Sequence, residues 1–203
     1  MHNLINAFPL YNFLKYCNGT SLEKTVLDCG AGGKNPPLSL FHEFGYKTYG
    51  IEKFEDQLER ADEFCKRHNT ELNIVSGDMT DIPFENEFFS FLFSYNTSVH
   101  MKKRDFAVAL REFARVLKPG GLCYVNFLND ECDSYGKGKE VNPGEFVQIE
   151  DGEEVRYSHY REDELAALLV DFDIVYEETR VLTRAINDGK YKSGYIDYIL
   201  IKR

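Results

Sequence analysis

The chain has 203 residues, with 24 Lys and Arg against 34 Asp and Glu, a formal net charge of -10 and a pI near 5.0. So acidic a protein repels polyanions, which sets nucleic acid aside as a partner, while 43% hydrophobic and 14% aromatic residues suffice for an ordinary core. Nothing in the composition marks a linker, so one domain over 1–203 is expected. No run of about 18 uncharged apolar residues and no basic-then-apolar leader occurs, so a cytoplasmic protein without a membrane partner is expected. Five cysteines, Cys17, Cys29, Cys65, Cys123 and Cys132, are odd in number and lack any C-x-x-C pair, as reduced thiols do, and no metal site is expected.

Taken in order, Leu10, Phe13, Leu14 and Cys17 share one face at helical spacing, which predicts a helix over 9–18 stopped at Gly19. Lys24 to Cys29 reads as a strand that runs into the turn Gly30-Ala31-Gly32, and Pro36-Pro37 opens a helix that ends near Gly45. Lys47 to Glu52 is a second strand, and the next helix carries Leu58, Ala61, Phe64, Cys65 and His68 on one face. Leu72 to Ser76 is a third strand. The continuous apolar run Phe88 to Tyr95 is a fourth, of the kind buried on both faces of a parallel sheet. A helix from about Arg104 to Lys118 is expected to stop at Pro119-Gly120-Gly121, followed by a strand over Leu122 to Leu128, a helix over Asp163 to Val170, and strands over Phe172 to Val181 and Gly194 to Lys202. No helical pattern separates the last two strands, so they should pair antiparallel at the edge of the sheet.

Between the fifth strand and the next helix lies 129–160, too long for a simple connection and therefore a lid or insertion. EFVQIE and EEVRYSHY flank Asp151-Gly152 as a hairpin does. The segment holds nine acidic residues against Lys137, Lys139 and Arg156. That excess favours a cationic or neutral acceptor.

The chemistry gathers at the carboxyl ends of the strands, where open α/β sheets bind ligands. Gly30 and Gly32 let backbone approach a ligand. Glu52, 20 residues after Gly32, can accept both hydroxyls of a ribose, and Asp78 can accept the exocyclic amine of an adenine. Asn35 stands where a dinucleotide loop needs its third glycine, and Asp28 would repel a pyrophosphate but can hold an ammonium group. His100 and His159 are candidate catalytic bases, because histidine titrates near neutrality.

Together DCGAGG, Glu52, GDMTDIPFENEFFSFLFS and REFARVLKPGGLCYV resemble the class I S-adenosylmethionine-dependent methyltransferases, in particular the small-molecule branch of ubiquinone/menaquinone biosynthesis type. The resemblance covers about Val26 to Leu128. It implies a Rossmann-like α/β fold, with a seven-stranded mostly parallel sheet, an antiparallel last strand and helices on both faces. It implies S-adenosylmethionine as cofactor and a small-molecule methyl acceptor. Asp28, Gly30 and Gly32 would cradle the methionine portion, Glu52 the ribose, Asp78 and the Met79 backbone the adenine, and Tyr95 or Asn96 the region near the sulfonium, with Ala31 and Lys53 also in the cofactor-binding set. Lys34 replaces the family's last loop glycine, and NPPL at Asn35 to Leu38 is a helix start rather than the motif of amino-methylating DNA enzymes. Two other readings stay open: a non-catalytic S-adenosylmethionine-binding sensor or scaffold, and an NAD-dependent oxidoreductase. The sequence sets neither the acceptor nor an oligomeric state.

Overall fold

The apolar period of the chain switches between two and 3.6, and the fold follows that switch. In the computed structural model, which describes residues 7–150, 152–186 and 189–203, helix α1 (Ala7–Asn18) precedes β1 (Thr25–Cys29), α2 (Leu38–Glu43) and β2 (Lys47–Glu52). Then come α3 (Glu55–His68), β3 (Ile74–Ser76), β4 (Phe89–Ser94), a single 3-10 turn at Ser98–His100, α4 (Lys103–Val116) and β5 (Leu117–Leu128). The second half adds β6 (Lys139–Asn142), β7 (Glu145–Glu150), β8 (Glu153–Ser158), α5 (Glu162–Leu168), β9 (Phe172–Ile186) and β10 (Gly189–Lys202).

Seven strands form one sheet in the order β3-β2-β1-β4-β5-β10-β9. β1 pairs parallel with both β2 and β4, so the chain runs outward to one side of β1 and then crosses to the other. That reversal opens a crevice above β1 and β4. β10 lies antiparallel to both β5 and β9. This is the expected Rossmann-like fold: the last two strands pair antiparallel at the end of the sheet, with β10 inside it and β9 at the edge.

Strand residues alternate between two cores. Leu27, Leu92, Cys123 and Val125 face Phe106 and Phe113 of α4 and Leu165 of α5, whereas Val26, Phe91, Phe93 and Tyr124 face Phe13 of α1, Phe41 of α2 and Phe64 of α3. Helices therefore cover both faces. Phe93 touches Phe13, Phe41 and Tyr124, and cutting such a ring back to alanine costs about 3–5 kcal/mol.

Three further boundaries differ from the sequence reading. Helix α4 stops at Val116 because Leu117 already pairs with Phe89, and the next partners, Phe91 and Leu122, leave residues 118–121 as a bulge inside β5. The terminal hairpin is longer than expected, because β9 and β10 pair as far as Ile186 and Gly189. Its added length packs on the insertion: Asp133 N–H donates to Lys192 O (3.0 Å), and Lys192 N–H donates to Asp133 Oδ2 (2.7 Å). Finally, the insertion holds three antiparallel strands, β6-β7-β8, where the sequence showed two. The β7–β8 hairpin closes as expected between Glu150 and Glu153, around Gly152 with φ +87°, while Asp151 lies outside the described residues.

Candidate active site

The site begins where β1 ends. Gly30 turns at φ +92°, with its N–H and that of Ala31 both donating to Ile51 O (2.9 and 3.0 Å), so the loop is tied to the end of β2. A Cβ on Gly30 would run into Thr97 Cγ2, and one on Gly32 would stand 2.7 Å from Glu52 Oε2. The turn therefore tolerates no side chain at either position.

Glu52, at the tip of β2, is held by backbone alone. Its Oε2 accepts from Gly32 N–H (3.1 Å), and its Oε1 accepts from Lys53 N–H (2.8 Å) and Phe54 N–H (3.0 Å). Three donors fix a carboxylate that is only 7% exposed, and its remaining lone pairs are available to hydroxyl donors. Beyond β3, Asp78 accepts from Thr80 N–H (2.9 Å), Thr80 Oγ1 (2.8 Å) and Lys53 Nζ (2.8 Å). Burial alone would raise the Asp78 carboxyl, but Lys53 and Thr80 outweigh it and bring it down to about 2. It is an anion throughout the neutral range.

Asp28 has the opposite environment. It is fully buried, Oδ2 has no hydrogen-bond partner among the described residues, and burial together with nearby Glu52 raises its carboxyl well above the usual range.

After β4 the chain turns at Asn96 (φ +57°), whose N–H donates to Asn126 Oδ1 (2.7 Å) while Asn126 Nδ2 donates to Asn96 Oδ1 (2.8 Å). Asn126 lies on β5 and is fully buried. A lone asparagine inside LCYVNFL was the sequence signal for it. Tyr95 stacks on Phe93, and its buried hydroxyl faces the Arg180 guanidinium.

These tips enclose a cleft of about 700 Å³. Of the residues singled out from sequence, Gly30, Glu52, Lys53, Asp78, Met79, Tyr95, Asn96 and His100 line it. Asp28, Ala31 and Gly32 do not; they stand behind the lining. Lys34 is exposed and away from the cleft. Phe54, Gln57, Thr80, Thr97, Lys102, Asp105 and Arg156 line it unanticipated, because the tertiary fold alone brings them there.

The two histidines separate. His100 is the last residue of the 3-10 turn, and its Nδ1 lies 2.8 Å from Arg156 O. A carbonyl only accepts, so Nδ1 carries the proton and Nε2 holds the lone pair in the neutral ring. His159 does not line the cleft: it is 2% exposed, faces Ser134 Oγ at 2.9 Å, and packs between Tyr135 and Phe146. Burial lowers its pKa to about 4. A ring sealed beneath the insertion cannot meet an acceptor in the cleft.

A glycine turn on β1, an anchored acid on β2 and a crevice at the point of reversal define the class of α/β proteins that hold a nucleoside cofactor at the strand tips. Residues 27–125 match the family model described as Methyltransferase domain. The sterol 24-C-methyltransferase of Pneumocystis carinii (strain B80) is 28% identical over 160 residues, which is 76% of this chain and 41% of that protein. The chain spans less than half the length of the sterol 24-C-methyltransferases it matches. The PH0226 protein from Pyrococcus horikoshii OT3 has the same fold, with TM-score 0.75 at 20% identity over 99% of this chain and 93% of that one. So does a SAM-dependent methyltransferase from Methanosarcina mazei, with TM-score 0.74 at 21% identity over 93% and 96% of the two chains. Among the described residues no helix is long and apolar enough to cross a membrane.

Proposed function

We propose that this protein is an S-adenosylmethionine-dependent methyltransferase acting on a small-molecule acceptor in the cytoplasm, where its scattered thiols stay reduced. One observation carries the reading: Glu52, fixed by three backbone N–H groups, faces the cleft beside a glycine turn that leaves no room for a side chain. The residues present fit the cofactor. Glu52 takes the ribose hydroxyls, Asp78 and Met79 border the adenine, and Asp28, behind the lining with its buried Oδ2 unpartnered among the described residues, answers the ammonium of the amino-acid tail through a bridging water. When bound, S-adenosylmethionine supplies a methyl carbon made electrophilic by its sulfonium.

The protein's own contribution is positioning. Methyl transfer is an in-line displacement, and holding the nucleophile within about 3–3.5 Å of the carbon supplies much of the rate. His100, its Nδ1 proton committed to Arg156 O, presents Nε2 as the base where the acceptor has a proton to lose. A net charge of -10 argues against nucleic acid as the acceptor.

Calorimetric titration with S-adenosylhomocysteine, and transfer of a labelled methyl group into a small-molecule cell extract, test the reading. Both should be observed, and both should be lost in Gly30→Arg. Binding without transfer would support a sensor or scaffold, and stoichiometric NAD binding in place of S-adenosylhomocysteine would support an oxidoreductase.

A further inference from the structure

The charges around the cleft are unequally committed. Each of its acids already has partners: Glu52 holds backbone N–H groups, Asp78 holds Lys53 and Thr80, and Asp105 receives Arg104 Nε at 3.1 Å. Its cations are less occupied. Lys102 is exposed and has no acidic partner among the described residues. Arg156 donates Nη1 to Glu145 Oε2 at 2.8 Å, which leaves Nε and Nη2 without a protein acceptor among the described residues. Those two donors form one edge of the guanidinium fork, the geometry that matches a planar oxyanion with two parallel hydrogen bonds.

The insertion delivers this group deliberately. Arg156 lies on β8 and is the insertion's contribution to the cleft wall among the described residues, while the acids Glu150, Glu153 and Glu154 sit at the exposed hairpin tip. Its backbone carbonyl holds His100 Nδ1, and its neighbour Tyr157 packs edge-on against the His100 ring. Glu145, 2% exposed, clamps the arrangement by also accepting Lys103 N–H at the start of α4. One short stretch of β8 therefore orients the candidate base and sets a half-free guanidinium beside it. The acidic excess of the insertion, which on sequence favoured a cationic or neutral acceptor, does not reach the cleft among the described residues.

The geometry points to an acceptor that carries an oxyanion, a carboxylate above all, bound by Arg156 with Lys102 in support. This rests on the methyltransferase reading and gives it a substrate class. The donor's own carboxylate is the competing occupant, and the experiment separates the two.

Wild type, Arg156→Gln and Arg156→Lys are titrated with S-adenosylhomocysteine and with 5′-methylthioadenosine, which lacks the amino-acid tail. Labelled methyl transfer is then measured into the anionic and the unretained pools of a small-molecule extract split by anion exchange. Wild-type transfer is expected in the anionic pool. Arg156→Gln should raise the acceptor KM about 10–100-fold, the worth of a charged hydrogen-bonded contact, with partial rescue by Arg156→Lys and S-adenosylhomocysteine affinity within about twofold of wild type. Transfer confined to the unretained pool overturns the proposal. So does an unchanged KM in Arg156→Gln. So does a loss of S-adenosylhomocysteine affinity with 5′-methylthioadenosine unaffected, which would assign Arg156 to the donor's carboxylate. The wild-type result does not depend on how the variants fold. Absence of any S-adenosylhomocysteine binding would instead sink the methyltransferase reading, and this one with it.

Discussion

The two walls of the cleft are built in different ways. The wall from β1, β2 and β3 is made by local backbone: a positive-φ glycine, a carboxylate on three amide N–H groups, and an aspartate capped by the threonine two residues on. The opposite wall, from the insertion and the start of α4, is held by side chains far apart in sequence, with Glu145 joining Asn142, Arg156 and Lys103 N–H. Backbone geometry makes a site that serves one invariant ligand, because it cannot be retuned without moving strands. Side-chain clamps make a wall that can change its ligand by single substitutions.

That contrast can be broken by experiment. The largest effect is expected from Glu52→Ala, which strips the acceptor from three N–H groups: S-adenosylhomocysteine affinity should fall at least about a hundredfold and stability by about 2 kcal/mol, read by calorimetry and urea unfolding. Glu145→Ala should reverse the pattern. Unfolding free energy drops by about 3 kcal/mol, the low end for breaking a buried pair because Arg156 keeps some contact with water, while S-adenosylhomocysteine affinity stays within a few fold. Comparable losses of donor affinity in both variants would show that the walls are not independent.

His159 adds a pH dependence to the insertion side. Its folded pKa of about 4 lies below its ordinary 6.5, so the unfolded chain binds the proton more readily between those values. Stability from this group is present above pH 6.5 and is lost as pH falls towards 4, by at most about 3 kcal/mol. Urea midpoints across that window should slope less in His159→Gln than in wild type. Asp28→Asn should raise the thermal midpoint, by removing a buried carboxyl whose Oδ2 has no partner among the described residues, yet weaken S-adenosylhomocysteine about tenfold. An unchanged affinity would free Asp28 of any part in donor binding. The smallest effect belongs to the hairpin tip, where neutralising Glu150, Glu153 and Glu154 should shift stability by under about 0.5 kcal/mol and leave acceptor KM unchanged.

The sequence by itself determined the cleft wall built from β1, β2 and β3 and most of the sheet. Gly30, Glu52 and Asp78 were legible because each acts within a few residues of its own strand end, and the alternating apolar periods placed strands and helices in order. Tertiary structure decided the rest. Asn126 meets Asn96 across 30 residues, Arg156 meets His100 across 56, and Glu145 reaches Lys103 across 42, so no local period records them. It also separated two histidines that looked alike in sequence, leaving His100 on the cleft and His159 sealed at 2% exposure. The place of β10 within the sheet followed the same logic, since hydrophobic period identifies a buried strand but not its neighbours. The acidic insertion carries the plainest lesson: its composition is negative, and among the described residues the one it brings to the cleft is an arginine, because which side chain faces inward is set by strand register and a buried clamp rather than by the charge of the segment.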